Sequence, residues 1–166
     1  MNLQIKKLLA KPDNLSNQPV VGLILLNTSD NRILYLQDTK SGLFGIPTGR
    51  VEKNETKEEA LVREVDEEIN LKLSLLNSNV IGADYLTTLY PISHLNKGCR
   101  FELHVYLKRY STNEEFKSFN LLNKEPNCCK GFYFLNFNEV KELFEEHKLR
   151  RSSEAIFMTR NYISVS

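Results

Sequence analysis

Between Glu55 and Glu68 the chain gathers seven acidic residues, Glu55, Glu58, Glu59, Glu64, Asp66, Glu67 and Glu68, against only Lys57 and Arg63. The same stretch is written as a helix. Thr56 and Glu59 stand at capping-box spacing, and Leu61, Val65 and Ile69 recur every four residues, so a helix from Thr56 to Ile69 should turn that apolar stripe to a core. Asn70 follows the last stripe residue, where a chain leaving a helix commonly turns left-handed. Asn tolerates that region best after Gly, so the helix should stop there.

Glu64, Glu67 and Glu68 stand at i, i+3 and i+4, which brings like charges onto one helical face and destabilises an isolated helix. A hard divalent cation relieves this, because magnesium prefers carboxylate and water oxygens and usually also takes oxygens from a substrate's phosphates. The crowding should raise at least one carboxylate pKa, and cation affinity should fall with pH. A run of glutamates taken alone is more often a solvated acidic face, and the surrounding residues decide between the two.

The length of 166 residues and a hydrophobic share of 41% point to one domain over residues 1–166, with 1–18 as a helix and loose lead-in. Lys plus Arg is 22 and Asp plus Glu is 21, so no global field draws the chain to nucleic acid or an anionic membrane. Recognition of phosphate must be local. Met1 to Asn14 lacks the apolar stretch of a signal peptide and nothing later approaches spanning length, so the cytoplasm is the expected location. Cys99 stands alone and Cys128 adjoins Cys129, which matches neither a disulfide framework nor paired zinc spacing, so all three read as structural thiols.

Val20 to Leu26 and Arg32 to Gln37 read as a hairpin, followed by a loop from Gly42 to Gly49. Val80 to Tyr90 and Arg100 to Tyr110 read as two long strands joined through Pro91 to Gly98. In the second, Phe101, Leu103, Val105 and Leu107 alternate with Arg100, Glu102, His104, Tyr106 and Lys108, predicting one buried and one mainly solvated face. Residues 111–129 read as a polar loop and Phe132 to Phe137 as a buried strand. Asn138 should cap a helix with Val140, Leu143 and Phe144 inward, and a last helix should cover Ser153 to Tyr162. Strands before and after a central helix, with more helices at the end, predict an α/β sandwich with a mixed sheet covered on both faces.

Gly49, five residues, Glu55, seven residues, Arg63-Glu64-Val65, one residue, Glu67-Glu68, one residue, Asn70-Leu71 closely resembles the signature box of the Nudix hydrolases. Asn70 departs from it, since the family has Gly there. Upstream, Phe44-Gly45-Ile46-Pro47-Thr48-Gly49 looks like the family's lead into the box, with Phe where Trp is common. The motif covers 23 residues.

The resemblance implies a Nudix-like α/β/α sandwich with a central mixed sheet and a loop-helix-loop catalytic cassette. It implies Mg2+-dependent hydrolysis of a diphosphate bond in a nucleoside diphosphate linked to another moiety, with Mn2+ able to substitute. By analogy Glu64, Glu67 and Glu68 would hold the metal together with the backbone carbonyl of Thr48, while Pro47 and Gly49 shape the loop. Glu55 and Arg63 resemble the family's buried pair that fixes loop to helix, so Arg63→Ala should cost activity through geometry. Glu64 is the first choice for deprotonating water, with Glu125 and Glu102 as candidates outside the box.

Tyr85, Tyr90, Phe44 and Tyr133 have the chemistry to stack on a base, yet strand aromatics are more often core. His94, His104 and His147 show neither metal spacing nor a nucleophile partner and receive no catalytic role. A noncatalytic Nudix-like module binding a nucleotide or a protein is the alternative, but such modules typically lose box carboxylates that are present here. An isoprenoid diphosphate isomerase of the same fold needs a catalytic Cys with a partner, and nothing near the three cysteines supplies one. Pro47 to Glu55 and Arg150 to Met158 distantly resemble GDP-sugar hydrolases, so nucleoside triphosphates, dinucleoside polyphosphates and nucleotide sugars all stay open. The expected partner is a small molecule; homodimers are frequent in the family, and the oligomeric state stays open.

Overall fold

The computed structural model describes residues 1–16, 18–94 and 98–163. Its elements are α1 (Leu3–Leu9), β1 (Val20–Asn27), β2 (Arg32–Asp38), β3 (Phe44–Gly45), β4 (Thr48–Arg50), α2 (Lys57–Ile69), β5 (Ser74–Leu76), β6 (Asn79–Ile81), β7 (Asp84–Leu89), β8 (Leu103–Tyr110), α3 (Asn113–Phe119), β9 (Cys129–Leu135), α4 (Phe137–Glu145) and α5 (Arg151–Thr159).

Every residue from Val21 to Leu26 is buried, because none of the six has a polar side chain with which to face water. It therefore lies inside the main sheet, whose order is β3-β2-β1-β8-β7, with β4 beside the start of β1 and β9 along β2. β1 runs parallel to β8, with Leu23 opposite Tyr106, and antiparallel to β2 and β4, so the sheet is mixed. Val21, Leu23, Leu25 and Leu34 pack with Ala60, Leu61, Val65 and Ile69 of α2. On the opposite face Ile24, Leu26, Leu103, Val105 and Leu107 pack with Val140 of α4 and Ala155 and Ile156 of α5. Two layers of helix on one sheet make the sandwich that the order of elements predicts. Truncating one of the α2 core residues, such as Leu61→Ala, removes a fully buried side chain, a change that typically costs about 2–5 kcal/mol. Among the described residues no helix is long and apolar enough to cross a membrane.

Several expectations need correction. β8 has no solvated face: it lies between β1 and β7 with helices on both sides of the sheet, so His104 and Tyr106 are buried despite their polar atoms. The long strand expected over 80–90 breaks into β6 and β7 at Gly82, whose φ of 96° ends the first ladder. The Gly42–Gly49 loop contains two short strands, and the Pro91 to Gly98 connection expected between the strands at 80–90 and 100–110 lies partly outside the described residues. The polar stretch 111–129 holds α3, capped by Thr112, and its Phe116 and Phe119 close around Tyr110. Near the C-terminus Asn136, not Asn138, caps α4 in a full capping box with Glu139, and α5 begins at Arg151.

Candidate active site

The approach to α2 is fixed by backbone pairing. Gly22 opposes Thr48 and Val21 opposes Gly49, while the Leu23 amide donates to the Pro47 carbonyl at 3.0 Å. Ile46 N–H donates to the buried Ser153 hydroxyl at 3.0 Å, which ties the same segment to α5. The residues from 44 to 50 are thus clamped between the sheet and two helices.

α2 starts as its sequence predicts, with the Thr56 side chain accepting from the Glu59 amide and Glu59 accepting from the Thr56 amide. It ends at Asn70, with φ 59° and ψ 26°, the left-handed exit expected there. Arg63 then binds the loop to the helix. Its Nε donates to Glu55 Oε2 at 2.7 Å and one terminal nitrogen to Glu55 Oε1 at 2.9 Å, a two-pronged geometry suited to guanidinium and carboxylate. That same nitrogen donates to the Arg50 carbonyl at 3.0 Å, and the other donates to Glu64 at 2.8 Å. The hydrogen bonds from Arg63 hold the Glu55 carboxyl below its ordinary pKa, and those from Glu55 and Glu64 push the guanidinium further above its own.

Glu64 lies mostly buried beneath Gly49. A Cβ at residue 49 would fall within 3.0 Å of the Glu64 Cγ, Cδ and Oε2 atoms, closer than real Cβ atoms come to anything. Burial raises the Glu64 pKa, with Arg63 opposing and Glu67 and Glu125 adding repulsion. Glu68 is raised further, first by burial and then by the charges of Glu64 and Glu125. The neighbouring Glu64 carboxyl, close enough to hydrogen-bond, acts in the same direction. Glu67 stands apart: it is more exposed and turns to Arg63 at 3.3 Å.

A family model described as the NUDIX domain matches residues 16–156. The chain belongs to the Nudix hydrolase family. It is 40% identical over 78 residues to an uncharacterized Nudix hydrolase of Nostoc sp., an alignment covering 46% of this chain and 44% of that relative. The chain thus spans less than half the length of the curated relative it matches. Among solved structures it is similar to the MutT NUDIX hydrolase of Burkholderia pseudomallei, with 25% identity, a TM-score of 0.52 and coverage of 73% of this chain and 85% of that one. It shares its fold with a bifunctional NMN adenylyltransferase/ADP ribose pyrophosphatase of Francisella tularensis complexed with AMP and a manganese ion. The TM-score is 0.60 and the identity 18%, over 90% of this chain and 41% of that one.

The Nudix box residues fit a divalent cation by their chemistry. Burial and mutual repulsion raise the pKa of both Glu64 and Glu68, so a positive charge would be stabilised beside them, and both offer hard oxygens. Among the described residues no group of three or more His, Cys, Asp or Glu side chains is drawn together tightly enough to enclose an ion. The structure brings Glu64 and Glu68 into contact, whereas Glu67 would have to leave Arg63 to join them.

Outside the box, Glu125 comes near. Its charge raises both Glu64 and Glu68, and its loop is held by hydrogen bonds from the Cys128 and Cys129 amides to the Glu125 carbonyl at 2.9 Å. Glu102 instead pairs with His104 at 2.6 Å, and His104 also meets Thr88 at 3.0 Å, so this pair serves β7 and β8. Burial holds the His104 pKa below its ordinary value. Tyr85 packs edge-on to Tyr106 and Phe44 edge-on to Tyr133. One cation received no role from the sequence: Arg150, far along the chain from the box, lies close enough to lower the Glu68 pKa. Only its place just before a helix marked it.

Proposed function

We propose that this chain, acting as one domain, hydrolyses a diphosphate bond in a nucleoside diphosphate linked to another group, and that the reaction requires Mg2+ or Mn2+. The observation that carries this reading is the placing of Glu64 and Glu68 side by side on α2, with Glu64 pressed under Gly49 and bonded to Arg63. A fold does not choose a reaction, but two largely buried carboxyl groups held side by side form a site suited to cationic charge.

Glu64, Glu67, Glu68 and the Thr48 backbone carbonyl would hold the ion. When bound, the cation neutralises the diphosphate, polarises phosphorus and lowers the pKa of an attacking water. Glu64 accepts the proton of that water, and Glu125 is the auxiliary carboxylate poised to assist or to take over. Arg63 and Glu55 act through the others: they fix the loop on the helix so that the Glu64 carboxylate keeps its place. Pro47 and Gly49 supply the loop's shape, and Gly49 also leaves the space that Glu64 fills. Three free thiols suit a reducing compartment, so the cytoplasm is the natural setting.

The test is a broad nucleotide panel with Mg2+, products identified by mass spectrometry, run beside Glu68→Gln. Wild type should release two phosphorylated products from at least one nucleotide, and the variant should be slower by at least about 100-fold. Equal cleavage by both proteins would overturn the site assignment.

A further inference from the structure

The carboxyl pair accounts for a diphosphate but leaves a neighbouring cleft unexplained. This cleft shares Thr48 and Gly49 with the carboxyl site and has a volume of about 560 Å³, the size of a small-ligand pocket. Gln18, Arg50, His94, Arg150 and Arg151 line it. Three of the lining side chains are guanidiniums and none is a carboxylate, in a chain whose formal net charge is only +1. Among the described residues Arg50 and Arg150 form no ion pair, and Arg151 meets only Glu154, at 3.3 Å.

Arg150 is held in place before any ligand arrives. Its amide donates to the Phe44 carbonyl at 2.8 Å, and Phe44 in turn donates to the Lys148 carbonyl at 2.8 Å. Its aliphatic stem crosses Gly45, where a Cβ would come within 2.9 Å of Arg150 Cδ. Arg50 is steadied through its carbonyl, which accepts from Arg63. Like charges gathered in one cleft repel each other, and the planar fork of each guanidinium matches the oxygens of a phosphate. Phe101 and the His94 imidazole are the aromatic rings of the lining, against three guanidiniums, so charge rather than base stacking dominates this wall.

Resting on the diphosphate-hydrolase reading, we propose that this cleft is a second phosphate subsite. Arg50, Arg150 and Arg151 hold a phosphoryl group of the substrate beyond the scissile diphosphate. Nucleoside triphosphates and dinucleoside polyphosphates, which place an anion there, are therefore preferred over nucleotide sugars, which place a neutral group there. A purely structural Arg150, serving only as counter-charge to Glu68, would give no such dependence on a third phosphate.

Calorimetric titration of the full chain in Mg2+ with inorganic pyrophosphate and with inorganic tripolyphosphate tests this. Wild type should bind tripolyphosphate at least about tenfold more tightly, the equivalent of about 1.4 kcal/mol. Arg50→Gln combined with Arg150→Gln should bring the ratio close to one while the melting temperature holds, and Arg150→Lys should restore part of it. Arg151→Gln, at an exposed position, should lower the ratio even if the double variant does not fold. A ratio near one in wild type, or one unchanged in Arg151→Gln and in the folded double variant, overturns the subsite. Because this measures binding, it fails separately from the hydrolase reading, which falls only if no nucleotide in the panel is cleaved.

Discussion

Gly49 and Glu64 lie so close that residue 49 has room for a hydrogen atom and nothing larger. The backbone there is not in the left-handed region, so the demand for glycine is one of space, not of φ. Gly49→Ala must move either β4 or the Glu64 carboxylate. Displacements of about 1 Å at a reacting centre can cost about 100-fold, and overpacking typically costs about 1–3 kcal/mol. The expected result is a kcat/KM at least about 100-fold lower with an unchanged circular dichroism spectrum. Activity retained in a well-folded Gly49→Ala protein would remove Glu64 from the site.

The raised pKa of Glu68 sets a sign for the pH dependence. Burial, with Glu64 and Glu125 beside it, places its folded pKa well above the ordinary carboxylate value. Neutral Glu68 therefore contributes stability that is complete below the unfolded pKa and is lost as pH rises through the folded one. A divalent cation binds the ionised form, so the rise in melting temperature on adding Mg2+ should be small near about pH 5 and grow toward about pH 8. Glu68→Gln should flatten the metal-free slope and shrink the Mg2+ response. Thermal melts across that range, with and without Mg2+, decide it, and a response that shrinks as pH rises would contradict the assignment.

Asn70 replaces a family glycine without disturbing the helix exit. Its side chain donates to the Asn120 carbonyl at 3.0 Å, a bond that glycine cannot make and that offsets the cost of left-handed backbone. Asn70→Gly should change stability by less than about 0.5 kcal/mol. Asn70→Ala, which loses the bond and keeps the strain, should cost about 1–2 kcal/mol. Urea unfolding of the two variants separates these outcomes, and equal costs would mean that the Asn120 contact contributes nothing.

What could be read in advance was local. The Thr56–Glu59 capping box, the stripe of Leu61, Val65 and Ile69, and the turn at Asn70 depend on residues within a few positions of each other, and all appear as expected. The bond between Glu55 and Arg63, eight residues apart, was implied only by the family resemblance, and it too is present. α3 escaped notice because seven residues with two phenylalanines look polar until Tyr110 is in place to receive them. The Thr112 cap three residues before Glu115 was the available sign. The polar face of β8 misled for a related reason: alternation reports which side chains are polar, whereas burial depends on what covers the sheet.

The sequence alone determined the helix, its caps and its acidic face, because each follows from short-range spacing and backbone geometry. Only the tertiary structure decided which carboxylates meet. It presses Glu64 against Glu68, leaves Glu67 with Arg63, and carries Glu125 and Arg150 to the same place from distant segments. Those choices depend on how α5 and the β9 loop dock against the sheet, and long-range packing of that kind leaves no periodic trace along a chain.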